Sequence, residues 1–175
     1  ILPLKNHQSI SSIMPFPDED VDKKNMHIIF ATSKGKIRKN NLEDFSSINA
    51  SGKIAMKLDS DDKIVGVKIC TDDQDIMLNT KFGKCIRFES KKLRVFKGRS
   101  SKGIRGINLS EKDTIVSLSI IDKDDIKKNK SKTKDEKSEV KAKEKFILSI
   151  TENGYGKRTS PVSYTHLTLP TKSRG

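Results

Sequence analysis

A repeated stretch of sequence constrains the fold of this chain more than any other feature. Residues 28–39, IIFATSKGKIRK, resemble residues 76–88, IMLNTKFGKCIRF, and residues 146–158, FILSITENGYGKR. Each copy is an apolar run, then a T-x-x-G turn, then a short strand of basic and apolar residues. The turn glycines Gly35 and Gly83 lie 48 residues apart, and a period of about 50 residues is typical of propeller-like arrays.

A second block recurs with nearly the same period. Residues 52–66, GKIAMKLDSDDKIVG, align without a gap with residues 103–117, GIRGINLSEKDTIVS. The DSDD and SEKD segments are turn-like, and each precedes an alternation of β-branched and polar residues that predicts a half-buried strand. The T-x-x-G turns predict hairpins in which the glycine adopts a positive φ.

About four short strands per unit, in consecutive units, predict an all-β fold. We expect a β-pinwheel or propeller-like array of four-stranded blades, present here as about three blades with a Lys-rich insert. The insert holds ten Lys and seven acidic residues, and it cannot bury a core. The predicted division is 1–27 as the end of a preceding blade with a linker, 28–75 and 76–121 as blades, 122–145 as the charged insert, and 146–175 as the start of a further blade with an atypical tail.

The formal net charge of +13 attracts polyanions, so nucleic acid, anionic membranes and acidic proteins are the candidate partners. No stretch reaches the ~20 apolar residues of a membrane span, and the first residues lack the pattern of a secretory signal. Cys70 and Cys85 form no CxxC pair, which argues against a zinc site. The chain begins at Ile1 and not at Met, so we expect it to be a piece of a longer protein.

Basic residues return beside the glycine turn in each unit and in the loops that follow. If the units are blades, equivalent positions share one rim, where Lys and Arg bind phosphates by charge and counterion release. A single lysine beside a turn is ordinary surface, but the recurrence in three units favours contact with DNA. The candidate contacts are Lys34, Lys36, Arg38, Lys39, Lys81, Lys84, Arg87, Lys97, Arg99, Lys102, Arg105, Lys157 and Arg158.

Three strings carry a resemblance to a known family. They are TENGYGKRT at Thr151–Thr159, GIRGI at Gly103–Ile107, and GKCIRF at Gly83–Phe88. Together with the D-x-I-V pattern of both units they resemble the C-terminal domain of DNA gyrase A, over about residues 1 to 164. The TENGYGKRT string is specific, whereas a single T-x-x-G motif is weak.

The resemblance implies a β-pinwheel in which neighbouring blades exchange a strand and the outer rim wraps duplex DNA. It implies that the chain belongs to a bacterial, cytoplasmic, chromosome-associated type IIA topoisomerase, an A2B2 heterotetramer. In that enzyme gyrase A works with gyrase B to introduce negative supercoils at the cost of ATP. The resemblance implies no catalytic residue, metal or cofactor in this chain, because ATP and Mg²⁺ are used by other parts of the holoenzyme.

The sequence departs from the family at the long insert, at Thr165–Leu169, and in lacking the glutamine- and glycine-rich basic box. Two alternatives therefore stay open. One is the related C-terminal domain of topoisomerase IV, which differs in how far DNA is wrapped. The other is a propeller-like module that binds an acidic protein, which salt-sensitive binding to random duplex DNA would exclude.

Overall fold

The structure is a computed structural model that describes residues 6, 9–18, 23–47, 52, 54–123 and 146–164. The elements whose bounds it gives are β-strands and short 3-10 helices. The predicted all-β class is confirmed. Most of the predicted insert, residues 124–145, and the tail that contains Thr165–Leu169 lie outside the described residues.

The first two units have the same order of elements. In the first unit β1 is His27–Thr32, β2 is Lys36–Asn41, a 3-10 helix covers Leu42–Phe45, and β3 is Ile64–Cys70. In the second unit β4 is Asp75–Thr80, β5 is Cys85–Glu89, a 3-10 helix covers Ser90–Lys92, β6 is Ile104–Arg105, and β7 is Ile115–Ile121. In the third unit β8 is Ile147–Ile150, β9 is Gly156–Thr159, and a 3-10 helix covers Pro161–Ser163.

The T-x-x-G motif makes the hairpin of each unit. In the first turn the amide of Gly35 donates to the Thr32 carbonyl at 3.0 Å, and the amide of Lys36 donates to the Thr32 hydroxyl at 3.2 Å. Gly35, Gly83 and Gly154 have φ of 81°, 81° and 83°. These values confirm the predicted positive φ, which a side chain would disfavour.

A recurring aspartate holds each of the first two turns from below. Asp62 Oδ1 accepts hydrogen bonds from the amide of Lys34 at 3.0 Å and from the Ser33 hydroxyl at 2.9 Å. Asp113 Oδ1 accepts in the same way from the amide of Phe82 at 3.1 Å. Both carboxylates therefore have a structural reason to recur, because each satisfies backbone donors that the tight turn leaves unpaired.

A strand of the second unit completes the sheet of the first. The first sheet has the order β3-β1-β2-β6, so its outer strand β6 comes from the following unit, with Lys36 opposite Arg105 and Ile37 opposite Ile104. The remaining strands form a three-stranded sheet, β5-β4-β7, and a two-stranded sheet, β8-β9. The exchange crosses the predicted division between residues 75 and 76, and that division itself stays a prediction.

Glycine makes the exchange possible. A Cβ on Gly103 would lie 2.4 Å from the Ile37 carbonyl oxygen, and a Cβ on Gly106 would lie 2.9 Å from Ile37 Cγ2. Gly103 also has a φ of 77°. The G-I-R-G-I string thus fits a strand that approaches its neighbour more closely than side chains allow.

The main core lies between the first two sheets. Ile29, Ile37, Ile76, Leu78 and Phe88 are fully buried there. The sheets also meet where a Cβ on Gly66 would lie 2.9 Å from Leu118 Cβ. Burying this apolar surface favours a fixed arrangement of the two units, since each buried side chain of this size contributes about 1.5–3 kcal/mol.

We expect Gly103→Ala to destabilise the chain far more than Gly52→Ala. Both glycines have a φ of 77°, but a Cβ on Gly52 meets nothing within 4 Å. The left-handed backbone alone costs about 1–2 kcal/mol for alanine, and the clash at Ile37 adds about 1–3 kcal/mol. Urea unfolding of both variants measures the difference, and equal destabilisation would contradict the close approach.

Candidate nucleic-acid interface

The candidate phosphate contacts divide into buried and accessible side chains. Arg38, Lys39 and Arg87 retain 0%, 1% and 4% of their surface. Burial removes these three residues from the predicted contact set, because a phosphate of duplex DNA cannot reach a side chain enclosed by its own fold. The reason for the error is that sequence position beside a turn does not distinguish an inward-facing cation from an outward-facing one.

Arg38 binds the backbone of the exchanged segment. Its Nη1 donates to the carbonyls of Arg99 at 2.6 Å, Ser101 at 3.0 Å and Ala55 at 3.3 Å. The guanidinium also lies 5.5 Å from the centre of the Phe96 ring. Burial lowers the pKa of Arg38, and the charge of Arg99 lowers it further. Arg38 therefore fastens the loop before β6 onto the first unit.

Lys39 and Arg87 each reach a carbonyl of the unit that follows. Lys39 Nζ donates to the Ser90 carbonyl at 3.0 Å and to Asp72 Oδ1 at 2.5 Å. Arg87 Nη1 donates to the Pro161 carbonyl at 2.5 Å. These contacts fit the requirement that a buried charge be paired and hydrogen-bonded.

The other candidates remain on the surface. Lys36 and Arg99 are half-buried. The exposed members are Lys34, Lys81, Lys84, Lys97, Lys102, Arg105, Lys157 and Arg158. Among the described residues, no carboxylate forms an ion pair with Lys97, Arg99, Arg105 or Lys157. These four cations keep their charge available to an external anion.

Strand exchange gathers basic residues of two units around one carboxylate. Lys36 and Arg105 are cross-strand partners on β2 and β6, and Asp59 forms ion pairs with both Lys36 and Lys102. We call Lys36, Asp59, Lys102 and Arg105 the edge cluster. The hydrogen bond from Lys102, followed by that from Lys36, lowers the pKa of Asp59 to about 2. Asp59 is therefore ionised at neutral pH and occupies two of the cations.

The turn lysines make lighter contacts. Lys34 Nζ donates to the Ser60 carbonyl at 2.9 Å, and Lys84 Nζ donates to the Ser110 hydroxyl at 3.2 Å. Lys81 Nζ lies 3.4 Å from an oxygen of Glu152, and both side chains are more than half exposed. Each ammonium has three donors, so these lysines can still bind a phosphate.

Sequence reasoning missed Asp59, although a signal was present. Asp59 and Ser110 occupy equivalent positions in the aligned blocks, and each receives a hydrogen bond from the lysine after the turn glycine, Lys36 or Lys84. Both units thus contain the same lysine-to-turn contact. Only the first unit places a carboxylate at the acceptor position.

A second carboxylate restrains the basic loop after β5. Glu89 forms ion pairs with Lys91 at 2.9 Å, Lys123 at 3.0 Å and Lys92 at 3.6 Å. The hydrogen bond from Lys91 is the main reason that the pKa of Glu89 falls to about 2. Arg94 instead stacks 4.2 Å from the centre of the Phe96 ring. The surface therefore alternates compensated and uncompensated cations.

Other kinds of site find no support in the described part of the chain. No group of three or more His, Cys, Asp or Glu side chains there could hold a metal ion. No helix within the described ranges is long and apolar enough to cross a membrane. Burial raises the pKa of the Cys85 thiol to about 11, which leaves it protonated and weakly reactive at neutral pH.

Four-stranded units whose outer strand comes from the next unit define a β-pinwheel. A family profile described as the DNA gyrase C-terminal domain, beta-propeller, matches residues 27–71, 74–122 and 145–164. The chain belongs to this family.

Curated relatives of the chain are named as the A protein of DNA gyrase. The protein of Rickettsia conorii is 38% identical over 192 residues, which cover 94% of this chain and 21% of that protein. The protein of Granulibacter bethesdensis is 43% identical over 123 residues, which cover 69% of this chain and 13% of that protein. The chain thus spans about a fifth or less of the length of these relatives.

Two solved structures share the fold. The C-terminal domain of DNA topoisomerase IV superposes with a TM-score of 0.72 at 22% identity, covering 95% of this chain and 45% of that one. A DNA gyrase A C-terminal domain superposes with a TM-score of 0.64 at 24% identity, covering 93% and 50%. At these identities the superpositions establish the architecture and leave the choice between the two enzymes to sequence.

We expect the Asp59 carboxyl to titrate with a pKa of about 2, below its ordinary value of 3.8. Because the folded state lowers this pKa, the stabilising effect is complete above about pH 3.8 and is lost as the pH falls through about 2. Carbon-detected NMR of the carboxyl group measures the midpoint. Replacing Lys36 and Lys102 by Gln should return it toward 3.8, and a wild-type midpoint already near 3.8 would refute the pairing.

Proposed function

We propose that this chain binds and wraps duplex DNA without sequence specificity as part of DNA gyrase A. In this role it supports ATP-dependent negative supercoiling by the A2B2 holoenzyme with gyrase B, on the chromosome in the bacterial cytoplasm. The proposal assigns ATP hydrolysis and strand cleavage to other parts of that enzyme. It is supported by the family membership, the net charge of +13 and the accessible cations.

The edge cluster is the observation that carries the proposal. Lys36 belongs to the first unit, whereas Lys102 and Arg105 belong to the second, so strand exchange makes one basic surface from two units. A duplex that follows this edge meets cations at intervals along its path. Each phosphate that a cation neutralises releases counterions, which favours binding at moderate salt.

Contacts of this kind position DNA without reading its bases. Lysine and arginine side chains at the edge of a sheet meet the sugar–phosphate backbone, where the chemistry is the same for every sequence. Bending a short duplex around the units costs on the order of 1–6 kcal/mol. Contacts from several units must offset that cost, so affinity should rise with the number of units engaged.

The sequence comparisons favour gyrase over topoisomerase IV. Relatives named as gyrase A reach 38% and 43% identity, and the family profile is that of the gyrase domain. The proposed contact set is the accessible part of the predicted one. It comprises Lys34, Lys36, Lys81, Lys84, Lys97, Arg99, Lys102, Arg105 and Lys157.

We expect Arg105→Gln to weaken duplex binding and to reduce its salt dependence. Removal of one phosphate contact should lower the slope of log K against log salt by about 0.9. Lys68→Gln is the matched control, because Lys68 is exposed on β3, at the opposite edge of the same sheet from β6. Anisotropy titrations of a random-sequence duplex at several salt concentrations give both slopes.

Equal effects of Arg105→Gln and Lys68→Gln would contradict the assignment of the interface to the β6 edge. Failure of the folded wild-type chain to bind duplex at low salt would overturn the proposed function altogether. A propeller-like module that binds an acidic protein would then be the interpretation to pursue.

We expect Asp59→Asn to strengthen duplex binding. The substitution removes the carboxylate that pairs with Lys36 and Lys102, and each lysine that gains a phosphate should steepen the salt slope by about 0.9. Asp61→Asn changes the formal charge equally, two residues away, at an exposed turn position with a φ of 61° that asparagine also tolerates. A larger gain for Asp61→Asn than for Asp59→Asn would show that the edge cluster does not contact DNA.

A further inference from the structure

One position in the hairpin of every unit is basic and faces the following unit. It lies four residues after the turn glycine, and its cross-strand partner is apolar. The three pairs are Lys39 with Ile29, Arg87 with Met77, and Arg158 with Leu148. The first two members of this position make the same contact, and the contact leads to the next unit.

The acceptor is the same backbone atom in both interfaces. Lys39 donates to the carbonyl of Ser90 at 3.0 Å, and Arg87 donates to the carbonyl of Pro161 at 2.5 Å. Ser90 and Pro161 are each the first residue of the 3-10 helix of the following unit. A lysine and an arginine of different length thus reach equivalent carbonyls across equivalent interfaces.

An aspartate beside each cation offsets the cost of burying the charge. Lys39 Nζ lies 2.5 Å from Asp72 Oδ1, and Arg87 Nε lies 3.6 Å from Asp75 Oδ2. The hydrogen bond from Lys39 is the main reason that the pKa of Asp72 is lowered. A buried cation with both a carboxylate and a carbonyl is costly to disturb, because loss of either side leaves an unpaired charge.

The third member of the position has no following unit among the described residues. Arg158 is exposed and lies 4.2 Å from the centre of the Phe146 ring. Leu148 and Ile150 share its face and are 65% and 66% exposed. At the equivalent of Leu148, Met77 and Ile29 are fully buried under the next unit.

We propose that this position is an inter-unit clamp, and that Arg158, Leu148 and Ile150 form the docking face for a further unit of the same repeat. In that interface Arg158 donates to the backbone carbonyl of the first residue of the incoming 3-10 helix. The occupant follows from the two interfaces already formed within the chain, which use the same register and the same kind of contact. The chain covers only 45% and 50% of the two solved domains that share its fold.

The clamp assigns Arg158 a role different from the phosphate contact expected from sequence. It does not depend on DNA binding, since Lys39 and Arg87 act inside the protein. The apolar partners supply most of the buried area, whereas the directed hydrogen bond fixes how the incoming helix sits. Arg158 is in this sense a positioning residue for the wrapping surface.

Hydrogen exchange measured by mass spectrometry on the full-length protein tests the clamp. Arg158→Met should increase amide exchange by at least tenfold in β8 and in the 3-10 helix of the next unit. Arg158→Lys should retain the protection, because Lys39 makes the same contact in the first interface. Arg87→Met and Arg87→Lys form a second pair, measured at the amides of Ser163 and Tyr164, which donate to carbonyls at the third 3-10 helix.

The outcomes separate the clamp from its alternatives. Unchanged exchange in Arg158→Met overturns the proposal, and a salt slope lower by about 0.9 would then identify Arg158 as a phosphate contact. Dissociation of a homodimer by Arg158→Met, with unchanged exchange in the next unit, would place a second copy on the face and also overturn it. Loss of folding in Arg158→Met that Arg158→Lys restores supports the clamp. Absence of duplex binding by the wild type would refute the proposed function and leave the exchange result intact.

Discussion

The pairing of β2 with β6 is the interaction on which the arrangement depends. It completes the first sheet with a strand from the next unit, and it forces Gly103 and Gly106 against Ile37. The segment that leads into β6 is fastened by Arg38 through three carbonyls. Neighbouring units are therefore joined by backbone hydrogen bonds as well as by side-chain packing.

Positive charge serves two purposes in this chain, and the fold separates them. Cations that point between units bind backbone carbonyls and become part of the interior, as Lys39 and Arg87 do. Cations at the exchanged edge stay accessible, as Arg105 does. Because the same strand exchange creates both environments, a change in the contact between units also changes the spacing of charge along the edge.

The sequence predicted what is local and missed what is distant. The T-x-x-G turns and their positive φ values were readable, because a hairpin is set by residues a few positions apart. The burial of Arg38 depends on carbonyls more than 60 residues away in sequence. Arg87 depends on Pro161, which no local pattern connects to it. A basic residue on a strand looks the same whether it faces solvent or a later unit.

Strand exchange also bears on how such an array changes in length. Each unit gives its outer strand to the unit before it, so the segment repeated in the sequence is offset from the sheet it helps to build. Removing or duplicating one whole segment leaves the flanking sheets complete, because any unit can supply the strand that its predecessor needs. Gene duplication can then lengthen the array without exposing a new unpaired edge in its middle, and the constraint of closing each sheet falls on the two ends alone.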